Sequence, residues 1–230
     1  MRIALVHKRY DRLGGAEWDC YELSQQLAAR GHEVHLVAGE CRVPVPDGIV
    51  LHRVPVVRTG QIAKLLSFAA FAPRVWRGVD ADVVIGFGRT VGQDLMRASG
   101  GCHRQYLARV AAERGGWTAL RQRLSPYDRA LLAIERRQYA PGGARKILAV
   151  SVLSRNEIIE AYPEVRAENV AVLHYGVDVD RFHPRSRARE GAAVRRELGI
   201  ALGQPVVLLV GSGFRRKGVD TLLEVWGREP

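Results

Sequence analysis

Short apolar runs alternate with longer amphipathic stretches along most of the chain, which has 230 residues. The runs are rich in Val, Ile, Leu and Ala, as is typical of strands buried on both faces of a parallel sheet. The predicted strands are Ile3–Val6, His32–Ala38, Ile49–Val54, Val83–Phe87, Lys146–Val150, Val170–Leu173 and Val206–Val210. The stretches between them have helical spacing, for example Trp18–Arg30, which Gly31 ends. Strands that alternate with helices predict an α/β fold with a doubly wound parallel sheet.

A change of pattern near Gly176 predicts a domain boundary. The strand Val170–Leu173 is followed by a turn and then by the charged segment Arg185–Glu190, which favours solvent. We therefore predict an N-terminal domain of residues 1–175, and a linker with the first strand and helix of a second domain in residues 176–230. One strand and one helix bury too little surface to fold alone, so we expect the second domain to be truncated here.

The segment Gly211–Gly218 has the composition of a phosphate-binding turn. It follows the predicted strand Val206–Val210 and precedes a predicted helix, Val219–Trp226. Glycines let main-chain N–H groups approach a phosphate, and the helix N-terminus adds partial positive charge. Arg216 and Lys217 supply full charges, so these two side chains are candidate phosphate ligands. A solvated basic turn is the alternative interpretation.

Two further glycine-rich loops are candidate binding elements. Gly14 and Gly15 follow the first strand, where ligands of open parallel sheets bind, although a tight turn also uses such a pair. The loop Gly100-Gly101-Cys102-His103 follows later in the chain. An imidazole in a loop can act as a general base near neutral pH, and His103 is therefore the catalytic candidate. A structural or exposed histidine is the alternative.

The charge balance favours an anionic partner. The chain has 35 Lys and Arg against 24 Asp and Glu, a net charge of +11. Such an excess suits binding to phosphorylated small molecules, anionic lipid surfaces or nucleic acid. A GC-rich genome, whose proteins are rich in arginine, would give the same excess. No nucleic-acid-binding module is recognisable, so no nucleic acid is expected as a partner.

Cysteine usage and the N-terminus bear on the compartment. The three cysteines form no C-x-x-C pair, so neither a zinc site nor a disulfide framework is predicted, and a reducing cytoplasm fits. No apolar run is long enough for a signal peptide or a membrane span.

The segment His103–Tyr139 is basic and partly amphipathic. Its arginines are interleaved with Trp117, Leu120, Leu124 and Tyr127. Such a segment can lie against an anionic bilayer with its aromatic rings among the headgroups. A solvated helix face explains the same pattern. The expected location is the cytoplasm, with a possible peripheral position on the inner face of the membrane.

Several of these motifs together resemble the retaining glycosyltransferases of family 4, and in particular the lipopolysaccharide core glucosyltransferases of that family. The resemblance covers nearly the whole chain. It rests on Gly14–Gly15, Val84–Phe87 with Asp94, Gly100–His103, His174–Asp178 with Phe182, and Gly211–Asp220.

The resemblance implies a GT-B fold, in which two Rossmann-like domains face a cleft. A UDP-sugar donor, typically UDP-glucose, would bind mainly to the second domain, and a lipid-linked or core oligosaccharide acceptor to the first. Arg216 and Lys217 would hold the donor diphosphate, which Gly14 and Gly15 would approach from the other side. His103 would be catalytic, and Asp94, Gly100 and Gly101 would lie on the acceptor side. No metal or other cofactor is expected.

The family also carries an acidic motif of two Glu residues that holds the donor, and by resemblance this motif would lie beyond residue 230. We therefore expect this chain to be nearly inactive alone. Some members have Asp where this chain has Gly100, which leaves the acid/base residue open. The alternative function is a non-catalytic module that binds the acceptor or an anionic membrane.

Overall fold

The computed structural model describes residues 1–211 and 213–228, with the main chain alone at 215 and 216. The chain divides into two compact units, Met1–Tyr175 and Gly176–Pro230. The strands are β1 (Arg2–Tyr10), β2 (Glu33–Cys41), β3 (Ile49–Arg53), β4 (Val83–Gly86), β5 (Gln93–Ala98), β6 (Ala144–Ala149) and β7 (Val170–Val172). They form one parallel sheet in the first unit, in the order β3-β2-β1-β4-β5-β6-β7.

Helices connect these strands. In the first unit they are α1 (Gly15–Ala29), α2 (Gln61–Arg77), α3 (His103–Arg114), α4 (Gly116–Leu124), α5 (Pro126–Tyr139) and α6 (Val152–Ala161), with a 3-10 turn at Ala167–Asn169. The described part of the second unit contains α7 (Arg185–Glu197), a 3-10 turn at Phe214–Lys217, and α8 (Val219–Trp226).

The core lies on both faces of the sheet. Because side chains alternate along a strand, Leu5 of β1 packs on one face in a cluster with Cys20 of α1. Its neighbour Val6 packs on the other face in a cluster with Phe68 of α2. Helices therefore cover both faces, and the predicted doubly wound α/β sheet is confirmed.

Six of the seven predicted strands are present, with somewhat different ends. β5 was not predicted, because Asp94 and Arg97 interrupt its apolar pattern, yet it pairs with both β4 and β6.

The predicted strand Val206–Val210 is wrong for this chain. These residues are irregular and exposed, and Leu208 is 80% accessible. A strand needs a neighbour for its N–H and C=O groups, and the described residues of the second unit contain no other strand.

Candidate active site at the carboxyl edge of the sheet

The strand order reverses between β1 and β4, since the chain moves to β2 on one side and to β5 on the other. Ligands of open α/β sheets bind beyond the carboxyl ends of the strands at such a point. A cavity of about 190 Å³ lies there, at the ends of β1, β4 and β5. Its lining consists of His7, Lys8, Ala16, Glu17, Phe87, Gly88, Arg89, residues 96–101, Gln138 and Tyr139. We call this space the carboxyl-edge cavity.

The glycine pair lies beside this cavity. Gly14 and Gly15 join β1 to α1, and the next two residues, Ala16 and Glu17, line the cavity. Gly14 has φ +108°, and a Cβ there would overlap the Glu17 carboxylate. Only glycine fits this position well, whereas a Cβ on Gly15 would meet nothing within 4 Å. The turn brings the N-terminus of α1, with its unpaired N–H groups, to the carboxyl edge.

The second glycine loop forms part of the cavity wall. Gly100 and Gly101 line it directly after β5, and Gly101 has a φ of +68°. The structure therefore brings this loop and the N-terminus of α1 to one place, although 85 residues separate Gly15 from Gly100 in sequence.

His103 begins α3 but does not line the cavity. Its Nε2 lies 3.1 Å from Oδ1 of Asp128 on α5, and its ring stacks on Tyr106 with centroids 6.0 Å apart. A carboxylate partner orients an imidazole. These two contacts therefore hold the ring of His103, the predicted catalytic residue, in one orientation at the N-terminus of α3.

Among the lining residues that the sequence analysis missed are two titratable side chains at the end of β1, His7 and Lys8. His7 is 6% exposed, and its Nδ1 accepts the Arg9 main-chain N–H at 3.0 Å. Burial lowers the pKa of His7 to about 4, an effect that Glu17 partly opposes. The ring is thus neutral at pH 7 with its proton on Nε2. Burial, and then the nearby Arg9, lower the pKa of Lys8. Nothing in the local sequence indicates that this end of β1 is buried.

Asp94 is not brought to this cavity. It is the second residue of β5, about 13 Å of strand from the carboxyl end at Ala98. Its Oδ2 accepts the Val84 N–H at 3.0 Å, and its Oδ1 lies 3.3 Å from Nη1 of Arg145. Asp94 borders a different cavity, of about 360 Å³, near the amino ends of β5 and β6. Its observed contacts link β5 to β4 and to Arg145.

The two cations predicted to bind the diphosphate, Arg216 and Lys217, belong to the second unit. Lys217 ends the 3-10 turn, and its aliphatic stem packs against Gly211, where a Cβ would lie 3.1 Å from its Cγ. Gly218 follows with φ +75° and precedes α8. The side chain of Arg216 lies outside the described residues. The turn before a helix is thus present, and the role of the two cations stays a prediction.

Comparison with known proteins identifies the family. Residues 13–181 match the model of Glycosyltransferase Family 4. The chain belongs to glycosyltransferase family 4. This family 4 chain is 27% identical over 230 residues to the lipopolysaccharide glucosyltransferase WaaG of Escherichia coli. The alignment covers 100% of this chain and 59% of WaaG. A second relative, the alpha-maltose-1-phosphate synthase of Mycobacterium tuberculosis, is 35% identical over 86 residues, 37% of this chain and 22% of that protein.

Two solved structures share the fold of this family 4 chain. The crystal structure of WaaG superposes with a TM-score of 0.80 at 27% identity, covering 99% of this chain and 60% of that one. Sucrose-phosphate synthase from Thermosynechococcus elongatus shares the fold, with a TM-score of 0.64 at 18% identity over 100% of this chain and 60% of its own. The predicted family and GT-B type of fold are confirmed. The chain spans about three fifths of the length of WaaG.

The described part of this family 4 chain was predicted to hold no metal and no membrane span, and two observations bear on these features. No group of three or more His, Cys, Asp or Glu side chains there is suited to hold a metal ion. No helix among those residues has the length and apolar character needed to cross a bilayer.

Proposed function

We propose that this chain forms the acceptor-side part of a retaining hexosyltransferase. The reaction transfers a hexose, with glucose as the first choice, from a UDP-sugar to a lipopolysaccharide core oligosaccharide. The observation that carries the proposal is the match to a lipopolysaccharide glucosyltransferase along the whole of this chain. The carboxyl-edge cavity at the reversal of strand order supports it, because α/β sheets bind ligands there.

The acceptor is proposed to bind on the first unit, along the carboxyl-edge cavity. Gly100 and Gly101 expose main chain to it, and the neutral His7 offers an N–H donor to a sugar hydroxyl. His103, oriented by Asp128, is the proposed proton-transferring group. Arg216 and Lys217 would stabilise the negative charge of the departing UDP. These cations would do this without a metal ion.

The donor half of the site is expected to need more residues than these 230. The chain spans 59% of the length of WaaG, so we expect little or no transfer from it alone. Substantial turnover of a UDP-sugar by this chain would contradict that expectation. We further propose that the protein works at the inner face of the cytoplasmic membrane, where a core acceptor would be available.

A chimera tests the proposed function. Residues 1–230 replace the matched 59% of E. coli WaaG, and transfer from radiolabelled UDP-glucose to a core oligosaccharide that ends before the hexose is measured. We expect transfer, and a decrease of about 100-fold or more for His103→Ala, the usual size of a general acid–base effect. Arg166→Ala is the control, because the Arg166 side chain is 77% exposed and its ion pair with Glu168 lies at the surface. A folded chimera that binds UDP but transfers nothing would refute the proposal.

The alternative function, a module that binds anionic membranes, is favoured by one surface. On α4, Trp117 is 86% exposed, and Leu120 and Leu124 are exposed on the same helix beside Arg121. A cluster of exposed apolar side chains flanked by arginine is typical of helices that lie in a bilayer interface.

Vesicle co-sedimentation tests this alternative. The chain should bind vesicles of phosphatidylglycerol and phosphatidylethanolamine, and bind phosphatidylcholine vesicles less. Trp117→Glu should release it, whereas Val152→Glu, on the exposed start of α6, should not. Equal binding by the two variants, or no binding at low salt, would exclude α4 as the contact.

A further inference from the structure

One buried carboxylate caps the N-terminus of α3. Cys102, at the N-cap position of α3, makes no side-chain capping hydrogen bond. Glu135 of α5 supplies it instead: its Oε2 accepts the His103 N–H at 2.9 Å, and its Oε1 accepts the Arg104 N–H at 3.2 Å. These are two of the four N–H groups that a helix start leaves unpaired, and a negative charge there is also favoured by the helix dipole.

The same carboxylate holds three side chains. Arg89 donates to Oε2 at 3.2 Å, the Tyr162 hydroxyl donates to Oε1 at 2.9 Å, and Cys102 Sγ lies 3.3 Å from Oε1. Glu135 is 1% exposed. Three of its five donors, the guanidinium and the two main-chain N–H groups, can only donate. Both carboxylate oxygens therefore act as acceptors.

The location of these contacts connects Glu135 to the candidate site. Arg89 lines the carboxyl-edge cavity, and so do Gly100 and Gly101, which directly precede the capped helix start. Two adjacent glycines make no side-chain contacts of their own, and the main chain that Glu135 holds begins two residues after Gly101. Glu135 itself does not line the cavity.

A second contact from the same helix face supports this role. Asp128 lies seven residues before Glu135, which places both on one face of α5. Asp128 holds the His103 ring at 3.1 Å, and Glu135 holds the His103 main chain at 2.9 Å. One face of α5 thus fixes both the ring and the backbone of His103.

We propose that Glu135 is a positioning residue for the candidate site. It fixes the loop at 100–103 and the Arg89 guanidinium against the carboxyl-edge cavity before any ligand binds. The proposal rests on the proposed function for the meaning of the cavity, but the fixing of the loop can be measured without a ligand.

The test uses the 230-residue chain and the variant Glu135→Gln. In glutamine an NH2 group replaces one carboxylate oxygen, and this group can donate a hydrogen bond but cannot accept one. The hydrogen bonds that this oxygen accepts, including one of the two from the start of α3, are therefore lost. We expect amide hydrogen exchange at His103 and Arg104 to accelerate at least tenfold more than exchange in β1. Affinity for the core oligosaccharide should fall by a similar factor. Glu135→Asp keeps the charge and shortens the side chain by one methylene, and it replaces the Gln variant if that variant does not fold.

Leu131→Ala is the matched control. Leu131 is 5% exposed on the same helix and packs in a cluster with Leu65 and Ile134. Its truncation should lower global stability and accelerate exchange in the whole unit without a specific effect at His103 and Arg104. It should leave acceptor affinity unchanged at a temperature where the chain is folded.

The outcomes separate the two hypotheses. Equal exchange at His103 and Arg104 in the Glu135 and Leu131 variants would overturn the positioning role. So would selective loosening in Glu135→Gln with unchanged acceptor affinity. If the wild-type chain binds no core oligosaccharide, the proposed acceptor is wrong; the inference about Glu135 is then judged by exchange alone, where selective acceleration supports it.

Discussion

Arg97 offers the sharpest test of the folded structure. This arginine of β5 is 5% exposed, and its Nε donates to Oδ2 of Asp19 on α1 at 2.7 Å. Its two Nη atoms donate to the carbonyl oxygens of Leu173 and His174, and the guanidinium lies 4.9 Å from the centre of the Tyr175 ring. One buried cation therefore ties α1 to the segment that follows β7.

The effect of Arg97→Met follows from these contacts. Removing one partner of a buried ion pair costs about 3–5 kcal/mol, because the other charge stays buried and unpaired. Because the Asp19 side chain is 18% exposed, water can partly hydrate its charge in the variant. We therefore take the lower end of this energy range. We expect a loss of about 3 kcal/mol in the free energy of unfolding. At 1.4 kcal/mol for each factor of ten, this lowers the folded-to-unfolded ratio by about two orders of magnitude.

Urea unfolding followed by far-UV circular dichroism measures this loss. The matched control is Arg145→Met, since Arg145 also pairs with a carboxylate, Asp94 at 3.3 Å, but its side chain is 84% exposed. Exposed pairs contribute about 0–1 kcal/mol. Asp19→Asn in the Arg97→Met background should restore part of the stability, because it removes the unpaired charge. A loss for Arg97→Met no larger than that for Arg145→Met would refute the reasoning.

Three further predictions concern the titration of two groups and the packing of one glycine. Burial lowers the pKa of His7 from 6.5 to about 4. The stability from its neutral ring is therefore complete above pH 6.5 and declines by up to about 3 kcal/mol as the pH falls to 4; His7→Gln should flatten this part of the pH–stability curve. Hydrogen bonds from Lys64 and then Arg42 lower the pKa of Glu40 to about 2. Its contribution is present above about pH 4.5 and is lost toward pH 2, so Lys64→Met should raise the Glu40 pKa measured by NMR. A Cβ on Gly143 would overlap main-chain carbonyl oxygens of α5, whereas one on Gly116 would meet nothing within 4 Å. Gly143→Ala should therefore lower the melting temperature by an amount that corresponds to about 3 kcal/mol, and Gly116→Ala should leave it nearly unchanged.

The apolar pattern predicted most strands of the sheet. It failed for one strand that contains charged residues and for one apolar segment that forms no strand. β5 escaped prediction because its sequence, Gln93–Ala98, carries Asp94 and Arg97, and it is a strand because β4 and β6 pair with it on both sides. Val206–Val210 has a strongly apolar pattern and forms no strand, because the described residues of its unit supply no partner. Strand formation depends on neighbours that a local pattern does not contain.

The candidate site likewise has features that the sequence predicted and features that it did not. The glycine loops were predicted from sequence because glycine adopts positive φ in turns, and Gly14 and Gly101 do so. Their role in binding stays a prediction. The buried state of His7 and Glu135 was not predicted. Single charged or titratable residues are usually exposed, and their sequence gives no sign of the partners that make burial possible.

The sequence alone determined the α/β class, the parallel alternation of strands and helices, and the family, because these depend on local periodicity and short motifs. Only the tertiary structure decided which charges are buried and what they hold. Glu135 caps a helix that begins 32 residues earlier, and Arg97 pairs with Asp19 at a separation of 78 residues. Burial of a charge is stable only when its partners arrive in the right geometry. That geometry is set by strand order, which the chain reaches only on folding.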